Sequence, residues 1–324
     1  MQHHPTHNRC PYTLKPLAEL PKVSNEHIIA DAIGGSDNYT VIVDAKTNSD
    51  FGTGADAAFI ESPFLQMLRT QHGVKSRSGT AEWTLKGHSS DDGKPAEVTI
   101  PHAGAVSIRH KQPVEFDASR TSVKIKVAAD KRDAFIAEMT ENMKRKGKIL
   151  AIQNEQRVEN QKIDLQFSVG LDMLEPGILK IAYLAAYEYL GDVFLSDPLN
   201  PEWQKAIRSV SIQEDKSKIQ CISDVPPKFL DAIFPVLAAH EHAVTVCNLQ
   251  QEGPLIAVRL FNSGILTRVY IASNSSDFGL SVLEGKIVVC DAITKKLKVL
   301  RFEDHFVNYS NRMTAASWSK GGNL

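Results

Sequence analysis

Residues 24–35, SNEHIIADAIGG, place the strictest limit on how this chain can fold. A Glu-His pair stands directly before two isoleucines, and two glycines follow at positions 34 and 35. A buried strand does not need the charged pair, and a surface loop does not need the isoleucines. The combination predicts a strand whose polar end presents a carboxylate and an imidazole together, from Glu26 and His27, followed by a tight turn.

The flanking residues extend this prediction to a hairpin and a helix. The run YTVIVDA, residues 39–45, is rich in β-branched residues and predicts a second strand, with residues 34–38 as the turn. The run FGTGA, residues 51–55, predicts a loop. Residues 55–70 predict a helix that Pro63 kinks or breaks. The expected order is strand, turn, strand, loop and helix.

The polar residues of this hairpin suit a metal-dependent nuclease. A neutral imidazole at His27 can take a proton from water, and carboxylate and amide oxygens are hard ligands for Mg²⁺ or Mn²⁺. Asn38 lies eleven residues after His27, and Asn48 lies ten residues after Asn38. Each has a simpler explanation when taken alone: Asn38 is a turn residue, Asn48 is a helix cap, and His27 beside Glu26 is either part of a surface pair or a satisfied core histidine.

The run C-P-Y-T, S-N-E-H-I-I-A-D-A-I-G-G, D-N and V-D-A-K-T-N-S-D-F-G resembles the HNH endonuclease family, which has the ββα-metal fold. It is most similar to the subgroup with Glu-His-Ile-Ile, a Gly-Gly turn, then Asn-x-x-Phe/Leu-Gly and a helix. The resemblance covers about residues 10–80. It implies that His27 is the general base, that Glu26 and Asn48 bind the metal, and that Asn38 braces the loop and orients the histidine.

The chain departs from that family at its zinc ligands. Many relatives bind structural zinc with two Cys-x-x-Cys pairs, but here the first pair is reduced to Cys10, and residues 44–47 are Asp-Ala-Lys-Thr. One cysteine cannot make a tetrahedral thiolate site, so we expect no structural zinc. Apolar packing is expected in its place, from Leu14, Leu17, Val23, Ile29, Val41 and Val43. Asp50 and Asp56 are weaker candidates for supporting the metal site.

The resemblance and the patterns beyond it divide the chain into three regions. Residues 1–80 form the HNH-like nuclease module, residues 81–150 a β-rich segment plus a helix, and residues 151–324 a C-terminal α+β domain of unknown role. The overall class is therefore α+β. Helices are expected at 130–148 and 176–194, a strand near 162–171, and a meander of five strands after residue 240, at 242–250, 254–262, 266–273, 286–293 and 296–304. The tyrosines of the second helix are expected to pack in the core.

Charge and composition bound the partners. The net charge is −1, so contact with nucleic acid requires a local basic surface, for which Lys46, Lys75 and Arg77 are candidates. Double-stranded DNA is the expected substrate, and a homodimer is a candidate assembly. The four cysteines are scattered, the N-terminus lacks an apolar signal, and the most apolar stretch carries charges. These features predict a cytoplasmic protein without a membrane span.

Two rival functions remain open. The chain could be a catalytically inactive HNH scaffold that binds nucleic acid or acts as a defence sensor, since the zinc ligands are missing. Alternatively, the main function lies after residue 150 and the nuclease is only its effector. Other histidine groups are weaker sites: His3, His4 and His7 near Cys10, His240 with His242, and His305 near the C-terminus. Restriction, phage defence and mobile elements are settings that the resemblance alone implies.

Overall fold

The structure is a computed structural model, and it describes the following residues: 5–76, 79–80, 82–90, 93–111, 114–116, 123–125, 127, 131–147, 149, 151, 163–165, 173–208, 219–222, 225–249, 253–273 and 278–321. Helices and strands are mixed, which confirms the α+β class. The chain divides into two compact units. One comprises residues 1–80 together with 170–324, and the other comprises residues 81–169. The division expected from the sequence, into residues 1–80, 81–150 and 151–324, stays a prediction.

The first 80 residues contain a hairpin followed by helices. The elements are β1 (Val23–His27), β2 (Thr40–Asp44), α1 (Ala45–Thr53), α2 (Ala55–Ile60), α3 (Pro63–His72), β3 (Lys75–Ser76) and β4 (Gly79–Thr80), with 3-10 helices at Leu17–Glu19 and Asp31–Ile33. β1 and β2 are antiparallel, with Glu26 opposite Val41 and His27 opposite Thr40. The predicted hairpin is confirmed, and α1 follows it directly.

Residues 51–55 were expected to be a loop, but α1 continues to Thr53 and only Gly54 separates it from α2. The Asp44 carboxylate accepts hydrogen bonds from the Thr47 backbone N–H at 2.8 Å and from the Thr47 hydroxyl at 2.7 Å. This cap satisfies a free N–H group of the first turn and starts a helix in spite of the glycine inside it. The predicted break at Pro63 is confirmed, because α2 ends at Ile60 and Pro63 opens α3 behind the capping residue Ser62.

The second unit is a small antiparallel structure. Its elements are β5 (Glu82–Ser89), β6 (Pro95–Pro101), β7 (Ser107–His110), β8 (Val114–Phe116), β9 (Val123–Ile125), α4 (Arg132–Arg145) and β10 (Ile163–Leu165). The strand order of its main sheet is β10-β5-β6-β7, and β8 pairs with β9. Buried and exposed residues alternate along β5, as expected for a half-buried strand. The helix expected at 130–148 is confirmed by α4. The strand expected near 162–171 is confirmed at Ile163–Leu165, and the rest of that range lies outside the described residues.

The C-terminal part of the first unit contains a long helix and a six-stranded sheet. Its elements are α5 (Glu175–Leu190), α6 (Asp192–Leu195), α7 (Asn200–Ile207), β11 (Gln220–Ile222), α8 (Pro227–Ile233), β12 (Glu241–Asn248), β13 (Pro254–Arg259), β14 (Thr267–Ile271), β15 (Gly285–Asp291), β16 (Leu297–Arg301) and α9 (Phe302–Gly321). All five predicted strands are present. Together with β11 they form a sheet of order β11-β14-β13-β12-β15-β16. This order is not a simple meander, because β15 returns to pair with β12.

Both faces of this sheet are covered. On β12, Val244 and Val246 join the core that contains α5, whereas Ala243 and Cys247 face the core that contains residues of α8 and the start of α9. This double burial explains the nearly continuous apolar sequence of β12. The core with α5 also includes apolar residues of the hairpin, which explains why residues 1–80 pack with the C-terminal part.

Helix α5 is the centre of the first unit. Tyr183 and Tyr187 are buried, which confirms their predicted packing role, and their hydroxyls donate to the carbonyls of Pro11 at 2.7 Å and Arg9 at 2.5 Å. The predicted helix 176–194 is interrupted at Gly191, whose φ of 69° is left-handed. Within the part of the chain that the structure describes, no helix combines the length and apolarity that crossing a bilayer requires.

Candidate functional site

Glu26 and His27 end β1 and belong to two different side-chain clusters. Successive residues of a strand point to opposite faces, so adjacent positions diverge. Glu26 pairs with Lys180 of α5, whereas His27 pairs with Asp37 of the turn before β2. The hypothesis that Glu26, His27 and Asn48 form a single metal-centred site remains a prediction. The contacts observed place Glu26 in one cluster and His27 in the other, and Asn48 contacts Ser24 and Asn25 instead.

The first cluster, which we call the carboxylate pocket, consists of Glu26, Asp56 and Lys180. The Lys180 Nζ atom lies 2.6 Å from Glu26 Oε1 and 2.6 Å from Asp56 Oδ2. The three side chains are only 12%, 17% and 6% exposed, respectively. Burial raises the pKa of the Glu26 carboxyl; Lys180 acts in the opposite direction and the negative charge of Asp56 adds to the increase. The pocket is thus a closed ion-pair network.

Asn48 lies on the same side of β1 as this pocket. Its Nδ2 donates to the Ser24 hydroxyl at 3.0 Å and to the Asn25 carbonyl at 3.4 Å. Ser24 and Glu26 are two residues apart and share a face of the strand. Asn48 therefore connects α1 to β1 through its amide nitrogen, and its role as a metal ligand would fall to the remaining amide oxygen.

The second cluster, which we call the histidine group, consists of His27, Asp31 and Asp37. The His27 Nε2 atom is 2.8 Å from Asp37 Oδ1, and one ligand atom from each of the three side chains lies within 4.8 Å of the others. Asp31 also forms an ion pair with Lys295. An imidazole nitrogen and two carboxylate oxygens can hold a divalent cation, and a carboxylate-bound imidazole can act as a base.

The loop between the two strands is held against the C-terminal sheet. Gly34 has a φ of 93°, and a Cβ atom there would lie 2.3 Å from the Ala292 carbonyl oxygen. A Cβ atom on Gly35 would lie 1.6 Å from the Ile29 carbonyl oxygen. The two glycines are therefore required for the close approach of backbone segments, which is the physical meaning of the Gly-Gly pair.

His242 anchors the same loop from the centre of the sheet. It is completely buried, its Nε2 donates to the Ile33 carbonyl at 2.8 Å, and its Nδ1 accepts from the Phe261 N–H at 3.0 Å. Burial lowers its pKa to about 4, so the ring is neutral. The weak prediction of a metal site at His240 and His242 is wrong for His242, because both of its ring nitrogens bind backbone groups.

The region around Cys10 and Asp44 is closed by contacts within the protein. Cys10 is buried, and its Sγ accepts a hydrogen bond from the Asp44 backbone N–H at 3.2 Å, while the Asp44 side chain caps α1. Of the residues expected to pack there, Ile29, Val41 and Val43 are buried, but Val23 is 43% exposed because it starts β1 on the outer face. The expectation that zinc is absent stays a prediction.

The remaining predicted residues have simpler surroundings. The Asn38 backbone N–H donates to the Ser36 hydroxyl at 3.3 Å, and the side chain that contacts His27 belongs to the neighbouring residue, Asp37. Lys46 on α1 and Lys75 on β3 are exposed, which suits contact with phosphate. Arg77 lies outside the described residues.

Three residues of these clusters were missed by the sequence reasoning: Asp31, Asp37 and Lys180. Lys180 carried a signal, because a single lysine inside the apolar run ILKIAYLAAYEYL must find a partner once the helix is buried. Asp31 and Asp37 carried only a weak signal, since aspartate is common in turns. Comparisons of the chain with protein-family profiles, with curated proteins and with solved structures find no match.

Proposed function

We propose that the N-terminal hairpin module hydrolyses phosphodiester bonds in nucleic acid, with double-stranded DNA as the expected substrate and His27 as general base. The observation that carries this proposal is the contact between His27 and Asp37, 2.8 Å long, at the end of β1 in a strand-strand-helix arrangement. The His27 side chain is 17% exposed, so it keeps access to solvent. These features agree with the resemblance to the HNH family.

The Asp37 carboxylate prepares the His27 imidazole to act as a general base. When His27 Nε2–H donates to Asp37, the lone pair is on Nδ1, and Asp37 stabilises the imidazolium that forms after proton uptake. His27 would take a proton from water at Nδ1. The water oxygen would bond to phosphorus as the bond from phosphorus to the leaving sugar oxygen breaks, and that oxygen would take a proton from solvent. Asn38 would support the turn that carries Asp37.

The divalent ion implied by the resemblance, Mg²⁺ or Mn²⁺, does not fit at Glu26 and Asn48 as the structure arranges them. The Lys180 ammonium already lies 2.6 Å from Glu26 Oε1 and would repel a second cation at that oxygen. The histidine group offers an alternative set of ligands, but a metal bound to His27 Nδ1 would remove the base. We therefore derive no catalytic step through a metal.

The wider setting belongs to the same proposal. Exposed Lys46 and Lys75, with Arg77, would bind the phosphate backbone of the substrate. A cytoplasmic location agrees with the absence of disulfides among the four cysteines, and a homodimer would place two such modules on one duplex.

A second candidate is an inactive HNH-like scaffold that binds nucleic acid or senses it. The observation in its favour is the carboxylate pocket, because the Lys180 ammonium pairs with Glu26, one of the two residues that the resemblance assigns to the metal. A binding protein would keep the exposed lysines and would not need the His27–Asp37 contact.

Nicking of supercoiled plasmid separates the two candidates, with single-stranded DNA and RNA tested in parallel. Wild type, His27→Ala and His88→Ala are compared in Mg²⁺, Mn²⁺ and EDTA; His88 is an exposed histidine of β5 and serves as the matched control. We expect His27→Ala to cut about 10²–10⁴-fold more slowly than wild type, because that is the contribution of a general base. His88→Ala should cut at the wild-type rate.

An equal rate in wild type and His27→Ala would contradict the assignment of the base. If folded wild type cuts none of the substrates with either ion, the proposed nuclease activity is contradicted. Binding of the same duplex in a gel-shift assay, weakened by Lys46→Ala, would then favour the scaffold.

A further inference from the structure

Lys180 is an unusual residue for its place in the fold. Helix α5 is buried at nearly every position, and Lys180 stands in its middle with a side chain only 6% exposed. A buried ammonium without partners would lose its proton or destabilise the fold. The chain provides those partners from its first 80 residues: Glu26 and Asp56, which lie 154 and 124 positions earlier in the sequence.

The surroundings of the ammonium are those of a cation-binding site. Two carboxylate oxygens, Glu26 Oε1 and Asp56 Oδ2, each lie 2.6 Å from Nζ. The face of the Phe51 ring lies 4.7 Å from Nζ, and the Tyr12 ring lies 5.7 Å away, both in the range of cation–π attraction. Two negative charges, one positive charge and two aromatic faces thus converge on a single point.

We infer that Lys180 is the resident cation of the carboxylate pocket, and that this pocket binds a divalent metal only when the Lys180 ammonium is removed. The inference goes beyond the proposed function and holds whether or not the chain cuts nucleic acid. It assigns the position between Glu26 and Asp56 to the protein's own side chain.

The physical reason is competition for the same oxygens. A divalent ion such as Mn²⁺ needs carboxylate oxygens at about 2.0–2.2 Å and repels a neighbouring ammonium. Lys180 is tethered to a buried helix, so it is present at high effective concentration and cannot diffuse away. Its removal would leave two closely spaced carboxyl groups, one on β1 and one on α2, without the ammonium that now pairs with both.

Mn²⁺ binding to the full-length protein tests the inference. Binding is monitored by the loss of the electron paramagnetic resonance signal of the free ion. Every protein carries Asp37→Asn, which weakens the histidine group as a competing site. On that background we compare the parent, Lys180→Met, Lys180→Arg, Asp56→Asn and the combination of Lys180→Met with Asp56→Asn. Met keeps the apolar stem without the charge, and Arg keeps the charge as the matched control.

We expect Lys180→Met to bind one more equivalent of Mn²⁺ than the parent, and the addition of Asp56→Asn to abolish that gain. Lys180→Arg should gain none. A parent that binds an equivalent of Mn²⁺ and loses it on Asp56→Asn alone would overturn the inference. So would a folded Lys180→Met protein that gains no site.

If Lys180→Met does not fold, the comparison of the parent with its Asp56→Asn variant still decides whether the wild-type pocket holds a metal. Because the measurement reports metal binding, it is independent of the nicking assay. Failure of the proposed nuclease and failure of this inference are therefore distinguishable.

Discussion

Glu26 and His27 are neighbours in β1, yet one lies in the closed carboxylate pocket and the other in the more open histidine group. Their carboxylate partners show the contrast: the Asp56 side chain is 17% exposed, and the Asp37 side chain is 74% exposed. Charges in the closed pocket interact through a poorly polarisable interior, whereas those in the open group are screened by water. The comparison teaches that two adjacent residues of one strand can belong to different side-chain clusters, one closed and one reaching solvent.

The largest effect on stability is expected in the carboxylate pocket. Lys180→Ala leaves Glu26 and Asp56 buried without a counter-ion, and the loss of one partner of a buried ion pair costs about 3–5 kcal/mol of unfolding free energy. Urea unfolding measures the change. Lys46→Ala, on the exposed surface of α1, is the control and should change stability by less than about 0.5 kcal/mol. Similar stability of both variants would remove the distinction between the two sides.

The attachment of the loop between β1 and β2 to the C-terminal sheet should depend on pH, because His242 holds this loop. Its pKa is about 4 when folded and ordinarily about 6.5, so the unfolded chain takes up a proton that the folded chain refuses. Stability should therefore fall as pH decreases from 6.5 to 4, by about 3 kcal/mol in total. The raised pKa of Glu26 acts in the opposite sense, since protonation of that carboxyl favours the folded state at low pH.

The contribution of His242 is isolated by comparing urea unfolding of wild type and His242→Gln between pH 7.5 and 4.5. The variant should be less stable at pH 7.5 and should lack the part of the pH dependence that His242 supplies. Parallel curves for the two proteins would show that the loop is not held by a neutral His242.

The glycine pair tests the same attachment with a smaller effect. Gly34→Ala places a Cβ atom 2.3 Å from the Ala292 carbonyl oxygen at a residue with a φ of 93°. We expect a loss of about 2 kcal/mol, because the backbone conformation is strained and the loop must shift. Gly52→Ala is the matched control: it lies in α1 with nothing within 4 Å of the new atom, and it should stabilise the helix by up to about 1 kcal/mol.

The smallest change in stability is expected on the open side. Asp37→Asn should alter the unfolding free energy by less than about 1 kcal/mol, because exposed ion pairs contribute little. It should nevertheless slow any cutting by wild type, since Asp37 orients His27 and stabilises the protonated ring. Unfolding and nicking measured on the same preparation would separate these effects. A large loss of stability with no change in rate would reverse the roles assigned to the two sides.

Much of the secondary structure could be predicted from local patterns. The hairpin at 23–44, the break before Pro63, the long buried helix and the five C-terminal strands all follow from periodicity, β-branched content and proline. Helix α1 was missed because its start depends on one side chain, Asp44, capping Thr47. The return of β15 to β12 was also missed, because strand order is decided by contacts between residues far apart in sequence.

The candidate site shows the same division. The sequence alone singles out Glu26, His27 and the Gly-Gly pair, because a charged pair beside isoleucines and a double glycine are local features. Only the tertiary structure decides that Lys180 lies between Glu26 and Asp56, and that Asp37 rather than Asn38 contacts His27. The physical reason is that a residue's neighbours in strand, turn and helix are set by short-range propensity, whereas the partner of a buried charge is set by which distant segments share a core.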